Sequence, residues 1–273
     1  MSAMSQDPRE AIYRDLLGGQ LAEGAAKNRA SASRIFALLA EFDVRPASLL
    51  DVGCGTGEWL AAARDIGITD VRGIEGNWLD KSNLPIEASL VETHDLETGF
   101  DLGRRFDLVL CIEVAEHVTP ASAERLVESL TRHSDLVLFS AAIPFQRGHH
   151  HVNEQFPDYW AERFAPHQFQ PLDFLRPRIW KDHNIIWWLR QNLLLFAHDR
   201  ALQVNPKLAA ERDVQRVLSV VHPSVYLGLL NEAYAKLQEQ SKLMQFIAEG
   251  GAFRATRHPD GKIDVTRLPA PPT

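Results

Sequence analysis

The stretch Ser48-Leu-Leu-Asp-Val-Gly-Cys-Gly-Thr-Gly57 decides the fold of this chain. Residues 48–52 are typical of a short buried strand, and residues 53–57 place three glycines at alternate positions of a turn. Glycine lets the backbone pass close beneath a ligand, where any β-carbon would collide. Residues 58–66 carry apolar side chains at helical spacing. Strand, glycine turn and helix therefore predict the first unit of an α/β fold, with a ligand at the turn.

Further strands and helices alternate along the chain on both sides of this unit. We predict strands at 71–75, 89–93, 106–112 and 135–141, and a helix at 120–131. Residues 172–180 and 193–198 are expected to form an antiparallel pair at the sheet edge, joined by a helix at 182–191. Such alternation predicts a doubly wound, mostly parallel, seven-stranded sheet with helices on both faces.

The pattern divides the chain into three regions. Residues 1–45 are predicted to form a helical N-terminal lead-in, with helices at 8–17 and 25–42. Residues 46–199 form the core, in which 145–192 supply cap and substrate elements. Residues 200–273 form a helical C-terminal extension, with its main helix at 223–247, and a flexible tail from 256 onward.

Composition restricts the classes of function. The formal net charge of −7 and the pI near 5.9 give no electrostatic footprint for long nucleic acid, so a small or neutral acceptor is favoured. The N-terminus is not patterned as a secretory signal, and the apolar run 185–197 is too short and too polar to span a bilayer. The two cysteines suggest neither a disulfide framework nor a zinc site. We expect a cytoplasmic protein without membrane insertion.

An acidic residue at the end of the second strand completes the ligand pattern. Glu75 follows Gly53 by 22 positions, where a carboxylate commonly accepts hydrogen bonds from ribose hydroxyls. A dinucleotide-binding turn has the pattern G-x-G-x-x-G and places a pyrophosphate at the helix start. In this turn the third glycine comes one residue earlier, so the pattern is G-x-G-x-G. The sequence therefore favours a nucleoside ligand that has no phosphate to hold.

Residues 50–57 closely resemble the first motif of the class I S-adenosylmethionine-dependent methyltransferase superfamily, and the resemblance covers roughly residues 48–197. It implies that S-adenosylmethionine is the cofactor, with Glu75 on the ribose, Asp95 at the adenine amine, and the end of the fourth strand facing the transferred methyl. Asp95 could instead be a turn or helix cap. The cofactor-binding residues that the resemblance implies are Asp51, Gly53, Cys54, Gly55, Gly57, Glu75, Asp95, Cys111 and Glu113.

The segment Glu113-Val-Ala-Glu116-His117 can bring two carboxylates and an imidazole to one side of a helical turn. It resembles the E-x-x-E-H element of small-RNA 3′-end 2′-O-methyltransferases and of ubiquinone-pathway O-methyltransferases, in which a later histidine completes a divalent-ion site. Three adjacent histidines, His149, His150 and His151, follow the fifth strand. The resemblance implies a metal set of Glu113, Glu116, His117 and His151, with Mg²⁺, Mn²⁺, Fe²⁺ or Zn²⁺ as the ion.

Without a metal, His117, His149 or His151 would be the general base that takes a hydroxyl proton. We expect O-methylation of a hydroxylated small molecule, sugar or glycan. The alternatives are an RNA-end 2′-O-methyltransferase and a non-catalytic module that binds S-adenosylmethionine. The apolar stripe of the C-terminal helix could pack on the core or on a second copy, so a homodimer is a further expectation.

Overall fold

The computed structural model describes residues 8–18, 20–214, 216–249, 253–257 and 263–268. The helices in these residues are α1 (Pro8–Gly18), α2 (Gln20–Glu41), α3 (Glu58–Asp65), α4 (Ala123–His133), α5 (Pro157–Phe164), α6 (Leu175–Ile179), α7 (Trp187–Asn192), α8 (Asp199–Val204), α9 (Pro206–Arg212) and α10 (Pro223–Ala248). The strands are β1 (Ser48–Val52), β2 (Asp70–Glu75), β3 (Val91–Thr93), β4 (Leu108–Ile112), β5 (Leu136–Ser140), β6 (Phe169–Leu172), β7 (Leu194–His198), β8 (Phe253–Arg257) and β9 (Ile263–Arg267).

Strands β1 to β7 form one sheet in the order β3-β2-β1-β4-β5-β7-β6. Strands β1 to β5 are parallel, whereas β7 runs antiparallel to both β5 and β6. The strand order reverses between β1 and β4, and open α/β sheets bind ligands at the carboxyl ends of strands beside such a reversal. The predicted doubly wound, seven-stranded sheet is confirmed.

Both faces of the sheet are covered by apolar cores, which explains why its strands read as continuous apolar runs. Alternate residues of β1 point to opposite faces, so Leu49 belongs to one core and Leu50 to the other. The first core also holds Leu39 of α2 and Leu60 of α3, and the second holds Leu126 of α4. Each of these leucines is fully buried, which stabilises the fold by about 1.5–3 kcal/mol per side chain.

The sheet edge differs from the prediction. The predicted strand at 172–180 is wrong, because the edge strand β6 ends at Leu172 and residues Leu175–Ile179 form α6. The buried guanidinium of Arg176 pairs with Asp173 at 2.8 Å, an i,i+3 contact that a helical turn can make. Pro171 within β6 is compatible with an edge strand, where a missing N–H is tolerated.

The N-terminal lead-in consists of α1 and α2, as predicted. The chain divides into two compact units, Met1–His222 and Pro223–Thr273, whereas the sequence predicted the boundary after residue 199. Helix α9 stays with the first unit because Asn205 Nδ2 and Lys207 Nζ donate to the backbone carbonyls of Phe42 and Glu41, at 2.8 and 2.9 Å.

The second unit contains α10 and an antiparallel pair, β8 with β9. The predicted flexible tail is therefore wrong for the residues of these two strands. Phe253, Thr256, Ile263 and Val265 are aromatic or β-branched, which favours strands. Pro269, Pro271 and Pro272, which suggested the loose tail, lie outside the described residues. None of the described helices combines the length and the apolar character needed to cross a membrane.

Candidate active site

The glycine turn lies at the carboxyl end of β1. Gly53, Gly55 and Gly57 have φ angles of 71°, 52° and 84°, in the left-handed region that favours glycine. A β-carbon on Gly53 would lie only 2.5 Å from Cγ2 of Val114. The N–H of Gly53 donates to the carbonyl of Ile74 at 2.9 Å, which ties the turn to β2. Glycine is thus required at position 53 by conformation and by space.

Glu75 ends β2 beside this turn and is buried. Its Oε2 accepts the N–H of Gly55 at 2.8 Å, and its Oε1 accepts the N–H of Gly76 at 2.8 Å and the indole N–H of Trp78 at 3.0 Å. Burial raises the pKa of Glu75, and these hydrogen bonds oppose that rise. A carboxylate has about four acceptor sites, so Glu75 keeps room for one more donor.

Asp51 of β1 is a second buried acid and lies two residues before the glycine turn. Among the described residues no donor reaches its Oδ2, although the residue is only 3% exposed. Burial, and then the charge of Glu75, raises the pKa of Asp51 to about 8. An unpartnered buried carboxyl oxygen costs free energy unless a ligand supplies a donor. Asp51 therefore keeps a buried acceptor oxygen without a partner close to the glycine turn.

Helix α1 supplies Arg9, Tyr13 and Leu17 to the lining of the cavity at the glycine turn. The ring of Tyr13 stacks on Trp78 with centroids 4.5 Å apart, and it meets His117 edge-on at 5.5 Å. Arg9 of the same helix pairs with Asp95 at 3.0 Å. Burial raises the pKa of Tyr13, so its phenol is neutral near pH 7. The lead-in helix thus brings an aromatic wall to the site.

Asp95 and Cys111, two of the predicted cofactor residues, make other contacts in the structure. Asp95 lies on the cavity wall, but its Oδ1 accepts the N–H of Glu97 at 3.1 Å, so the alternative of a helix cap describes its contacts here. Cys111 is fully buried in the apolar core, and its neighbour Ile112 lines the cavity instead. Side chains alternate along a strand, so only one of these two neighbours can face the cavity. Cys54 and Gly57 belong to the glycine turn, and Cys54 lines the cavity.

The turn after β4 places the second group of acids. Glu113 adopts a φ of 53°, and residues Ala115–His117 form a 3-10 helix rather than the start of an α-helix. The Glu113 carboxylate accepts the amide N–H groups of Gln146 and Asn192 at 2.8 and 3.0 Å. Glu113 is therefore held by two side-chain amides, and the structure does not bring it into the metal group that the sequence predicted.

Three of the four predicted metal ligands do come together. Ligand atoms of Glu116, His117 and His151 lie within 4.8 Å of one another. Glu116 is 1% exposed, and among the described residues its Oε2 has no hydrogen-bond partner. Burial, and then the charge of Glu113, raises the pKa of Glu116. One carboxylate and two imidazoles suit Mn²⁺, Fe²⁺ or Zn²⁺ better than Mg²⁺.

Both histidines are oriented by oxygen atoms. Nδ1 of His151 lies 2.9 Å from Oε1 of Glu154, and Nδ1 of His117 lies 3.3 Å from the carbonyl of His150. A second nitrogen held by a carboxylate or carbonyl is the usual arrangement of a metal-binding histidine. Burial, and then the neighbouring His151, lowers the pKa of His117 to about 4, so its imidazole is neutral near pH 7.

The cavity between these walls has a volume of about 400 Å³. The exposed His149 and the half-buried rings of Trp187 and Trp188 are part of its lining. His117 and His151 also line it, so all three predicted catalytic histidines face one cavity. Sequence reasoning missed Tyr13, Trp78 and Glu154. Only Glu154 carried a local signal, because it follows His151 at a spacing of three.

A model of the methyltransferase domain family matches residues 25–184, more than half of the chain. The chain therefore belongs to this family. Its fold and glycine turn are those of the class I enzymes, so it is an S-adenosylmethionine-dependent methyltransferase.

Solved structures share the fold at low sequence identity. A candidate O-methyltransferase from Nostoc punctiforme matches with 17% identity and a TM-score of 0.51, over 72% of this chain and 64% of that one. The sugar N-methyltransferase of Streptoalloteichus matches with 20% identity and a TM-score of 0.47, over 72% and 95%. The magnesium protoporphyrin IX methyltransferase of Synechocystis, with bound S-adenosylhomocysteine, matches with 14% identity and a TM-score of 0.46, over 64% and 84%. No curated protein matches the chain.

Proposed function

We propose that this enzyme methylates a hydroxyl oxygen of a small hydroxylated molecule, sugar or glycan, with a divalent ion held by Glu116, His117 and His151. The observation that carries the proposal is the buried, unpartnered oxygen of Glu116 beside two oriented imidazoles in the same cavity as the glycine turn. Perturbed, desolvated acids cluster at functional sites because a ligand compensates their cost.

The proposed cofactor site uses the wall around the glycine turn. Gly53 and Gly55 allow close approach, Asp51 would accept from the ammonium group, and Glu75 would accept one ribose hydroxyl. Asp95 would have to release Arg9 to meet the adenine amine. When bound, S-adenosylmethionine supplies a methyl group on a cationic sulfur. In the in-line displacement the acceptor oxygen would bond to that methyl carbon as the carbon–sulfur bond breaks. The protein therefore contributes mainly by orienting the acceptor and excluding water.

The proposed acceptor site uses the opposite wall. A divalent ion bound by the three ligands would lower the pKa of an acceptor hydroxyl. Glu154 would keep His151 in the ligating orientation. Trp187 and Trp188 would offer flat faces for the acceptor, and the exposed His149 could accept its proton. A His117 with a pKa near 4 is a weak base near pH 7, which favours the role of ligand over that of base.

The class of acceptor rests on chemistry rather than on fold likeness. The net charge of −7 speaks against RNA ends, and the aromatic wall supports a sugar or another cyclic acceptor. One structural relative is named as a sugar N-methyltransferase, so amino sugars are the natural comparison. We also propose a reducing, cytoplasmic setting, which the two free, buried cysteines support, and a homodimer.

The proposal is tested by methyl transfer from labelled cofactor to matched hydroxyl and amino sugars, with and without a chelator. We expect transfer to the hydroxyl acceptors, loss on chelation, and recovery with Mn²⁺. Glu154→Gln should bind Mn²⁺ about 10–100-fold more weakly while it binds the cofactor normally. Glu162→Gln, on α5, is the matched control. Transfer only to amines or to RNA ends would overturn the acceptor class, and full turnover in chelator would overturn the ion.

A further inference from the structure

Glu75 and Asp95, the two acids of the proposed nucleoside site, both accept hydrogen bonds from side chains of this chain. Glu75 accepts the indole N–H of Trp78 at 3.0 Å, in addition to two backbone N–H groups. The two carboxylate oxygens of Asp95 accept from the guanidinium of Arg9, at 3.2 and 3.0 Å. Donors of the protein therefore lie at the acids where a ribose hydroxyl and an adenine amine are proposed to bind.

Helix α1 and the turn after β2 together supply these donors. Arg9 and Tyr13 are four residues apart, so they lie on the same side of α1. The ring of Tyr13 stacks on the indole of Trp78 with centroids 4.5 Å apart, and the guanidinium carbon of Arg9 lies 5.6 Å from the centroid of that indole. The three side chains are thus one group in mutual contact, the plug, and all three line the cavity.

The indole of Trp78 occupies space directly against the backbone beside Glu75. A β-carbon on Gly76 would lie only 2.1 Å from Cζ2 of Trp78, so the ring fits there because residue 76 has no side chain. Glu75 beneath it is 9% exposed. A ribose offers two hydroxyl donors, whereas Glu75 has one acceptor site left while the indole N–H is bound. A ribose can therefore bind Glu75 through both hydroxyls only when the indole leaves.

We propose that Arg9, Tyr13 and Trp78 form an autoinhibitory plug, which the nucleoside part of S-adenosylmethionine must displace before it binds. The proposal rests on the proposed cofactor site. The indole N–H takes the place of a ribose hydroxyl at Glu75, and the guanidinium takes the place of the adenine amine at Asp95. The ion pair is 22% and 44% exposed, so it is weak enough to open. Only the open fraction of the protein binds, which lowers the apparent affinity by that fraction.

The first test measures the affinity for S-adenosylmethionine and for S-adenosylhomocysteine by calorimetry. Arg9→Met keeps the apolar stem but breaks the ion pair, and we expect about threefold tighter binding. Trp78→Phe keeps a ring but removes the competing N–H, and we expect about fivefold tighter binding. The matched controls are Arg34→Met, which breaks a surface ion pair with Asp182, and Trp180→Phe, since neither Arg34 nor Trp180 lines the cavity. Both controls should bind as the unmodified protein does.

The second test follows hydrogen exchange of the full chain with and without saturating S-adenosylhomocysteine. Displacement of the plug removes contacts of α1, so the amides of residues 8–18 should exchange faster when the ligand is bound. Those of α4, residues 123–133, should not change. Slower exchange in α1 would mean that the helix closes over the bound ligand, and it would overturn the proposal.

The outcomes separate the plug from the cofactor site itself. Unmodified protein that binds neither ligand would overturn both. Normal binding by the unmodified protein, with equal or weaker binding by Arg9→Met and Trp78→Phe, would overturn the plug alone. Weaker binding by Trp78→Phe would assign the indole to the support of the bound cofactor.

Discussion

The two walls of the cavity are built in different ways. The cofactor wall is local, because the glycine turn, Glu75 and Trp78 come from one β1–α3–β2 segment with its following turn and are linked by hydrogen bonds, and Asp51 precedes the turn by two residues. The acceptor wall is assembled from distant segments, since the amides that hold Glu113 come from positions 33 and 79 residues away. We infer that changes in the first wall affect cofactor binding, whereas changes in the second affect transfer alone.

The largest expected effect is that of Gly53→Ala. Its β-carbon would clash with Val114, and a non-glycine residue in the left-handed region costs about 1–2 kcal/mol in addition. Cofactor affinity, measured by calorimetry, should fall by at least about 100-fold. Gly103→Ala is the matched control, because Gly103 has a similar φ of 65° and nothing within 4 Å of an added β-carbon. Equal affinity in both variants would mean that the turn does not contact the cofactor.

Glu75→Gln should have the next largest effect. One carboxylate oxygen becomes an N–H₂ group, so at least one of the three N–H donors around it loses its acceptor. A lost hydrogen bond to a charged acceptor costs about 2 kcal/mol, or roughly 30-fold in cofactor affinity. The exposed Glu92→Gln is the control. If affinity for the cofactor is unchanged, the carboxylate only braces the turn.

Asn192→Ala tests whether the acceptor wall is independent of the cofactor wall. The change removes the N–H₂ group that reaches both Glu113 and Gln146, at 3.0 and 2.9 Å, so the turn that carries Glu116 and His117 should loosen. We expect turnover to drop about tenfold, the equivalent of 1.4 kcal/mol, with the affinity for the cofactor unaltered. Asn184→Ala on the surface is the control. A matching loss of cofactor affinity would show that the two walls are coupled.

The smallest effect is a pH dependence of cofactor binding that arises at Asp51. Because the pKa of Asp51 is raised to about 8, its carboxyl is mainly protonated at pH 7 in the free protein. A bound ammonium would favour the ionised form, so binding should release protons and strengthen several-fold from pH 7 to 8. Calorimetry in buffers of different ionisation enthalpy measures that release. Asp51→Asn should abolish it, and equal release by both proteins would refute the role of Asp51.

The raised pKa of Asp51 also makes the free energy of unfolding depend on pH. The unfolded carboxyl ionises near 3.8, whereas the folded one ionises only near 8, so the contribution of Asp51 to stability is present at low pH. That contribution is lost as the pH rises from about 4 to 8. Urea titrations of Asp51→Asn should therefore show a flatter pH dependence than those of the unmodified protein.

The local wall could be predicted from the sequence, because its signals are close together in the chain. The strand at 48–52, the left-handed glycines and the acid at the end of β2 are all encoded within 28 residues. The fold of the sheet followed from the alternation of strands and helices. The sheet edge differs, where a buried pair of Asp173 and Arg176 favours a helix, and so does the tail, where β8 and β9 form.

The acceptor wall could be predicted only in part. The sequence indicated that Glu116, His117 and His151 could share a site. It did not indicate that Glu113 turns towards Gln146 and Asn192, because those tertiary contacts leave no local pattern. The same is true of Tyr13, whose stacking on Trp78 requires α1 to fold back over the cavity. Cys111 lies in the core, and the alternation of side chains along β4 places its neighbour Ile112 at the cavity.

The most direct test of the account is titration of Mn²⁺ into the chelator-treated protein and into Glu116→Gln, followed by calorimetry. Gln retains the shape of the side chain but replaces a charged ligand oxygen, and the cofactor titration serves as the control for folding. We predict one ion for each chain of the unmodified protein, at least tenfold weaker binding by Glu116→Gln, and equal cofactor affinity for both. No ion bound by the unmodified protein, or equal binding by the variant, would contradict the assignment of this cluster as a metal centre.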